Sequence, residues 1–290
     1  MPNNITLAKK YVPVLDEIYK KAALSEVLDG DNGLAREGAN VNEIIIPKID
    51  MDGMATYSRA SGYVDGAATL TWETVKADYD RGRMFNIDYL DDEESMNVAF
   101  GRLAGEFMRT KAVPELDAWT FAKIADTDGV GGVSSGATLG TGAAVSDALI
   151  AAINALDEAE APEEARILFI TPTLLTLVRN QDTTKSREAL ERFGQIVRVP
   201  QSRFYSKITL YDGTTEGQTA GGFIKTATGK DLNFIALSKS AICKFHKHVA
   251  PKIISPEANQ HADGYMYGYR HVAVCKVYDN KLNGVYVHHK

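Results

Sequence analysis

Residues 91–126 read DDEESMNVAFGRLAGEFMRTKAVPELDAWTFAKIAD, and no other part of the chain keeps a helical period for so long. Asp91 is placed to cap the first exposed amides, and Glu94 follows three residues later as in a capping box. The first apolar residues recur at steps of four, three and four, which places them on one face of a helix: Met96, Phe100, Leu103 and Phe107. We expect one helix over residues 92–126, with this face buried.

Pro114 interrupts the pattern because it lacks an amide hydrogen and its ring crowds the carbonyl of Thr110. Residues of helical character continue beyond it to Ile124. We therefore expect a kink at this proline, with a complete break into two shorter helices as the alternative. An unbroken helix would be about 50 Å long at about 1.5 Å per residue, close to the full width of a compact chain of this size.

Composition places the chain among globular proteins. Of its 290 residues 44% are hydrophobic, which is enough for a substantial core and excludes a disordered protein. The net charge of −6 argues against nucleic-acid binding by the whole surface. Residues 239–290 nevertheless hold eight Lys or Arg against three Asp or Glu. Weak, non-specific contact with DNA is a hypothesis for this basic segment.

Two cysteines, Cys243 and Cys275, lie 32 positions apart and match no metal-binding or redox spacing. Buried thiols in a reducing compartment explain them better than a disulfide does. Residues 1–20 contain no apolar run typical of a signal peptide, and no stretch is long and apolar enough to span a membrane. We expect folding in the cytoplasm and no membrane partner.

Residues 43–76 change to the two-residue alternation of strands. Ile44, Ile45 and Ile46 form the first apolar run, and Leu70 and Trp72 alternate with polar residues in the second. The intervening region is rich in Gly, Ala, Ser and Asp and poor in core residues. We expect a long hairpin that projects from the body and needs a partner to order it, with an ordinary flexible loop as the alternative.

The remainder of the chain combines helices with short strands. A glycine-rich linker at 129–142 precedes a helix near 145–159, a buried strand at 166–170 and a second helix opened by Thr171 and Pro172. Further strands follow to residue 238, and residues 242–290 read almost entirely as strands. The predicted fold class is α+β.

Gly132-Val-Ser-Ser-Gly136 matches the nucleophile elbow of hydrolases, with Ser134 in the position of the nucleophile. The elbow needs a hydrophobic strand before the serine, whereas the polar run Asp126-Thr-Asp128 stands there. A serine hydrolase is therefore only a remote alternative, and we predict that the protein is not an enzyme.

All six histidines lie beyond residue 245. His246 and His248 would share one face of a strand, and His271 and Cys275 a face of another, so a zinc site is conceivable. No third and fourth ligands occur at a familiar spacing. We predict no catalytic residue, no bound metal and no cofactor.

Several short motifs follow one another over almost the whole chain: Leu70-Thr-Trp-Glu73, Tyr79-Asp-Arg-Gly-Arg83, the helix from Asp91 through Arg109-Thr-Lys-Ala-Val-Pro-Glu-Leu-Asp117, Phe169-Ile-Thr-Pro172, Val199-Pro-Gln-Ser-Arg203 and the strand-rich ending. In this order they resemble the major capsid protein of tailed bacteriophages, with the Hong Kong 97-type fold, in a prophage-like member. No single motif carries the resemblance, which rests on their joint order.

The resemblance implies a particular division of the chain. Residues 1–41 would be an N-terminal arm, 42–78 an extended β-hairpin loop, 79–128 with 239–290 a peripheral domain containing the spine helix 92–126, and 129–238 an inserted α/β axial domain. Copies of the chain would self-assemble as pentamers and hexamers into an icosahedral virion capsid around double-stranded DNA, in the cytoplasm of a bacterial host. The residues expected at contacts between subunits are Arg59, Tyr63, Trp72, Arg81 and Arg83.

The resemblance also suggests partners and variants. A separate scaffolding protein and a portal would take part in assembly. Because the chain begins almost directly with the arm, we expect no proteolytic removal of a leading segment, and because no lysine and asparagine pair can be matched, we expect a shell without covalent crosslinks. An encapsulin-like bacterial nanocompartment that holds cargo is the alternative.

Overall fold

A computed structural model describes residues 23–30, 36–37, 43–90, 98–130, 132–134, 138–260 and 262–290. Besides short 3-10 turns, the helical elements in these ranges are α1 (Val98–Phe107), a π-helical turn (Met108–Ala112), α2 (Val113–Ala125), α3 (Gly142–Glu158), α4 (Pro172–Gln181) and α5 (Thr184–Glu191). None of the helices that the structure describes is both long and apolar enough to cross a membrane.

The strands are named in chain order. They are β1 (Arg36–Glu37), β2 (Glu43–Met51), β3 (Ala68–Lys76), β4 (Tyr79–Asp88), β5 (Gly132–Ser134), β6 (Arg166–Ile170), β7 (Gln195–Arg198), β8 (Ile208–Leu210), β9 (Phe223–Lys225), β10 (Leu232–Ser238), β11 (Ile242–Ile254), β12 (Gly264–Val277) and β13 (Val285–His289). The mixture of helices and largely antiparallel sheets confirms the predicted α+β class.

The α1 helix, the π turn and α2 form one unbroken helix, called the spine helix below. The backbone stays in the right-handed helical region at Phe107 and at Val113, on both sides of the π turn. The alternative of a complete break at Pro114 is therefore wrong. A π turn is wider than an α turn, so it gives the proline ring room next to the carbonyls of the preceding turn. The hydroxyl of Thr110 donates to the carbonyl of Glu106 at 2.6 Å in the same turn.

The predicted helix start at Asp92 and its cap at Asp91 lie outside the described residues. The same is true of Met96 and of the side chain of Phe100, whereas Leu103 and Phe107 pack against the core as expected. Burial then increases along the helix. In α2, ten of the 13 residues are buried, so this half of the helix is enclosed by other elements on nearly all sides.

One side of α2 packs on a five-stranded mixed sheet with the order β5-β13-β10-β6-β7. Side chains of β6 and β10 alternate between the faces of this sheet. Phe169 and Ile235 lie in the core with the spine helix, while Leu168 and Phe234 lie in a second core with α3, α4 and α5. Such a sheet, covered on both faces, explains why β6 and β10 are buried along their whole length.

A second, antiparallel sheet has the order β11-β12-β4 and packs on the other side of the spine helix. The ring of Phe107 lies 5.0 Å from Phe85 and 6.1 Å from Tyr269, and Trp119 lies 4.9 Å from Tyr79. These edge and tilted contacts are the usual geometry of packed aromatic rings. The spine helix thus joins the two sheets through one continuous core.

The last strand does not stay with the other strands of residues 239–290. Instead, β13 pairs antiparallel with β10 and parallel with β5, inside the five-stranded sheet. In the five-stranded sheet, Val285 and Val287 of β13 are fully buried in the core beneath the spine helix. The boundaries of the implied domains stay predictions.

We predict that Arg166→Met lowers the free energy of unfolding of the unassembled subunit by about 3 kcal/mol. The side chain of Arg166 is 1% exposed, and it donates to Asp157 at 2.6 Å and to the carbonyls of Ala161 and Pro162 at 2.6 and 3.2 Å. Methionine fills the space but leaves these acceptors without their donor.

Denaturant unfolding followed by circular dichroism measures the effect. The matched control is Arg187→Met, since Arg187 is exposed and lies 3.7 Å from the exposed Asp182. We expect this control to change the stability by less than about 0.5 kcal/mol. Equal losses in the two variants would contradict a structural role for the buried guanidinium.

Candidate intersubunit surface

The β2 and β3 strands form an antiparallel ribbon whose two faces differ in chemistry. In this register Pro47 pairs with Trp72, Ile49 with Leu70 and Met51 with Ala68. Paired residues lie on the same side of a sheet, so these six side chains form one face, which we call the apolar ribbon face. The opposite face at the same level is polar and carries Lys48, Asp50, Thr69 and Thr71.

The apolar ribbon face is open to solvent in the isolated subunit. Ile49 is 60% exposed, Met51 68%, Leu70 53% and Trp72 50%. A soluble chain rarely leaves a continuous row of large apolar side chains in water, and such a row marks a binding surface. Completing the burial of each half-exposed side chain would contribute on the order of 1 kcal/mol. This face is therefore a candidate binding surface.

The base of the ribbon is fixed to the body of the subunit. Ile44 and Ile46 are buried in a small core with Cys243 and Val274, on the face that becomes polar farther along. Glu73 also forms an ion pair with Lys276 of β12. Both cysteines are buried free thiols, as the sequence predicts.

The far end of the ribbon is a structured turn. Ser58 and Gly62 exchange backbone hydrogen bonds of 3.2 and 2.8 Å, and Gly62 has a φ of +79°, which favours glycine. The rings of Tyr57 and Tyr63 pack edge to face at 4.9 Å, although Tyr63 stays 89% exposed. Arg59 is exposed within the same turn. The turn thus presents aromatic rings and one cation together.

Of the five residues expected at subunit contacts, the structure places Arg59, Tyr63 and Trp72 on the exposed ribbon. Arg81 and Arg83 lie elsewhere, on β4, and both have partners within the subunit. Arg81 donates to Glu115 of the spine helix at 2.7 and 3.4 Å. Burial disfavours its charge, but the hydrogen bond and charge of Glu115 outweigh this and raise the pKa of Arg81. Arg83 donates to the carbonyl of Thr219 at 3.1 Å.

Arg81 and Arg83 line a cleft of about 610 Å³ between β4, the spine helix and the loop at 211–223. Phe85, Phe107 and Tyr269 contribute apolar surface to this cleft. Asp212, also in its lining, accepts hydrogen bonds from Thr215 and Thr214, which hold the pKa of its carboxyl well below the ordinary value. The cleft therefore has an apolar interior with charges of both signs at its walls.

The sequence missed Ile49, Met51 and Leu70 as candidate contact residues. A signal for them existed, because apolar residues alternate with polar ones in both strands. That pattern predicts an amphipathic strand, however, and the usual interpretation is that its apolar side faces the core of the same chain. Only the structure shows that this side is left exposed at Ile49, Met51 and Leu70.

The expectation that His246 and His248 share one strand face is wrong. The register of β11 on β12 shifts between them, which is a β-bulge that turns the two side chains to opposite faces. His246 instead meets His271 across the strands, with Nδ1 2.9 Å from Nε2. Cys275 is buried, and burial raises the pKa of its thiol to about 12. Among the residues that the structure describes, no three His, Cys, Asp or Glu side chains are arranged so that they could hold a metal ion.

Ser134 lies at the end of the edge strand β5, where its backbone is paired with His288 of β13. A nucleophile elbow instead holds its serine in a sharp turn after a strand. The position of Ser134 in a regular parallel ladder does not match that geometry. No observation on the described residues favours the hydrolase alternative.

Comparison with known proteins identifies the architecture. No protein-family model and no curated protein matches the chain. Solved structures do match: a structure of Gordonia phage Cozz has a TM-score of 0.60 at 13% identity, covering 92% of this chain and 86% of that one. The capsid of cyanophage P-SCSP1u has a TM-score of 0.55 at 15% identity, covering 88% and 85%. A virus-like particle from Pyrococcus furiosus has a TM-score of 0.56 at 13% identity, covering 94% and 95%.

At such low sequence identity the similarity establishes the fold, and it does so over nearly the whole length of each chain. One of these structures is described as a capsid and another as a virus-like particle. An uncovered ribbon, a long spine helix and two sheets joined by that helix occur together here. The chain therefore has the fold of bacteriophage major capsid proteins, the Hong Kong 97-type fold.

Proposed function

We propose that this chain is the major capsid protein of a tailed bacteriophage and that it self-assembles into an icosahedral shell around double-stranded DNA. The observation that carries the proposal is the apolar ribbon face, which the subunit exposes and a neighbouring copy would cover. The fold of the chain supports the same conclusion. The protein acts by enclosure, without catalysis.

Within the shell, the ribbon lies over a neighbouring subunit, and Arg59, Tyr63 and Trp72 contact that neighbour. Tyrosine, tryptophan and arginine are the residues that contribute most often to protein interfaces, because they combine a large apolar area with a polar group. Arg81 and Arg83 belong to the cleft, where their bonds to Glu115 and Thr219 shape the subunit itself. Their contribution to assembly is indirect.

Other partners follow from the same proposal. The subunits form pentamers and hexamers with the aid of a separate scaffolding protein and a portal, in the cytoplasm of the bacterial host. Contact with the packaged DNA is weak and non-specific, because the chain is acidic overall and only residues 239–290 carry excess positive charge. A nanocompartment that holds protein cargo is the second candidate, favoured by the similarity to the virus-like particle from Pyrococcus furiosus.

Electron microscopy of the purified full-length protein tests the proposal. We expect closed shells or capsomers, and a strict monomer at all concentrations would contradict it. Particles isolated from the host distinguish the two candidates by their contents. Nuclease-protected double-stranded DNA supports the capsid, whereas particles that hold an enzyme and no DNA support the nanocompartment.

We predict that Leu70→Asp abolishes assembly while leaving the subunit folded. Leu70 lies on the apolar ribbon face, where a carboxylate would have to be buried against a neighbour without a partner. The matched control is Thr71→Asp, which adds the same charge at the next position of the same strand, on the polar face. Sedimentation velocity and circular dichroism report assembly and folding. Loss of assembly in both variants to the same degree would show that charge, not the apolar face, is responsible.

We predict that Arg81→Ala lowers the stability of the subunit, whereas Arg59→Ala weakens its assembly. Arg81→Ala removes the partner of the largely buried Glu115, so it should lower the free energy of unfolding by about 2 kcal/mol. Arg59→Ala should leave that stability within about 0.5 kcal/mol but weaken assembly, because Arg59 is exposed in the ribbon turn. Unfolding of the dissociated subunit and the critical concentration for assembly separate the two effects. A stable Arg81→Ala subunit with a selective assembly defect would place Arg81 at the interface instead.

A further inference from the structure

A short segment at residues 23–30 is anchored to the body of the subunit by buried polar contacts. Asp117 of the spine helix accepts hydrogen bonds from the amides of Leu24 and Ser25 at 3.1 and 3.0 Å, and from the Ser25 hydroxyl at 2.7 Å. Leu28 adds a side chain that is 1% exposed. The segment is therefore packed and hydrogen-bonded along its length.

Lys244 of β11 supplies the next anchor. Its ammonium group is fully buried, donates to the carbonyl and hydroxyl oxygens of Ser25 at 3.0 and 2.9 Å, and forms an ion pair with Asp29 at 2.8 Å. A buried charge needs such partners, since desolvation without them is costly. Segment 23–30 and Lys244 thus depend on each other.

A row of titratable side chains continues from Asp29 into the sheet. His246 Nε2 lies 3.1 Å from the Asp29 carboxylate, and its Nδ1 lies 2.9 Å from His271 Nε2. His271 Nδ1 in turn lies 3.3 Å from the hydroxyl of Tyr269. One arrangement of protons makes all three contacts hydrogen bonds. In it Tyr269 donates to His271, His271 donates to His246, and His246 donates to Asp29. Both imidazoles are neutral in this arrangement.

The two facing ring nitrogens can hold one proton between them, but not two. If both rings were protonated, two N–H groups would oppose each other at 2.9 Å. The positive charges of both rings and Lys244 would then lie close to one another beside the Asp29 carboxylate. Burial, followed by the charges of His246 and Lys244, lowers the pKa of His271 to about 3.

Two further titratable groups lie on neighbouring elements that the structure describes. From β4, Tyr79 packs edge-on against His271 with ring centroids 5.8 Å apart, and burial together with Glu115 raises its pKa well above the ordinary value, so it stays neutral. The Glu115 carboxylate on the spine helix is engaged by Arg81 at 2.7 Å. The Asp29 carboxylate contacts the row directly through His246.

We propose that the Asp29–His246–His271 row is a proton-sensitive latch, which holds segment 23–30 on the sheet at neutral pH and loosens it on mild acidification. Release of the segment lets water reach the facing ring nitrogens, so that His271 can take a proton of its own. The released form then carries one proton more than the latched form. Acid therefore favours release.

The difference in the pKa of His271 between the two forms sets the direction and the size of the pH effect on release. His271 has its ordinary pKa of 6.5 when solvated and about 3 when latched. The stabilisation of the latched form is fully present above about pH 6.5, and it is lost progressively as the pH falls from there towards 3. Between pH 7.5 and 5.5 the equilibrium constant for release should rise about tenfold.

Hydrogen–deuterium exchange on the unassembled full-length subunit tests the latch. After correction for the intrinsic pH dependence of exchange, amides of residues 23–30 should lose about tenfold in protection between pH 7.5 and 5.5. A peptide from α3 serves as the internal reference and should stay protected. A change below threefold in segment 23–30, or a parallel loss in α3, would overturn the proposal.

Three glutamine variants identify the groups responsible. His271→Gln can still donate and accept in the row but cannot be charged, so it should abolish the pH response. If that buried variant does not fold, His246→Gln tests the same pair from its half-buried side and should reduce the response. His248→Gln is the matched control on the other face of β11 and should respond as the wild type does. A wild-type response in every folded variant of His246 and His271 would also overturn the proposal.

Discussion

The structure depends on the packing of the second half of the spine helix between two sheets. Phe121 is fully buried, with its ring 5.0 Å from Phe169 of the five-stranded sheet and 5.2 Å from Phe204. Trp119, two residues earlier, packs on Tyr79 of the other sheet. One helix therefore gives both sheets their common core, and any arrangement that displaced it would expose apolar surface on two sides at once. This constraint explains why the helix tolerates Pro114 by widening a turn and not by ending there.

Much of this architecture could be predicted from periodicity. The long helix, the alternating strands of the ribbon and the fold class all follow from the spacing of apolar residues. The remaining features depend on pairings between distant parts of the chain, which spacing does not encode. The bulge between His246 and His248 reverses the face of one side chain. The β13 strand pairs with β10, about fifty residues upstream, and its Val285 and Val287 are buried in the core there.

The candidate site was predicted less completely, for a physical reason. Arg59, Tyr63 and Trp72 were expected at an interface and lie on an exposed ribbon, where the contact itself is a proposal. Arg81 was expected there too, but Glu115 lies 34 positions away in sequence and only the folded chain brings the two charges together. The uncovered ribbon face was missed because alternation shows that a strand has two different sides, without showing what covers each side.

The manner in which the ribbon is attached has a mechanical consequence for a closed shell. Nine-residue strands at about 3.3 Å per residue make an arm of about 30 Å, whose contacts with the body, among the described residues, lie at the end that carries Ile44 and Ile46. A rotation of about 10° at that base would carry the far end through about 5 Å, a shift set by the length of the arm. A shell with five-fold and six-fold positions presents each subunit with neighbours at slightly different angles. A long arm with a small fixed base converts that angular difference into a lateral shift of the far end. The apolar ribbon face could therefore reach a neighbour at five-fold and at six-fold positions without repacking of the cores.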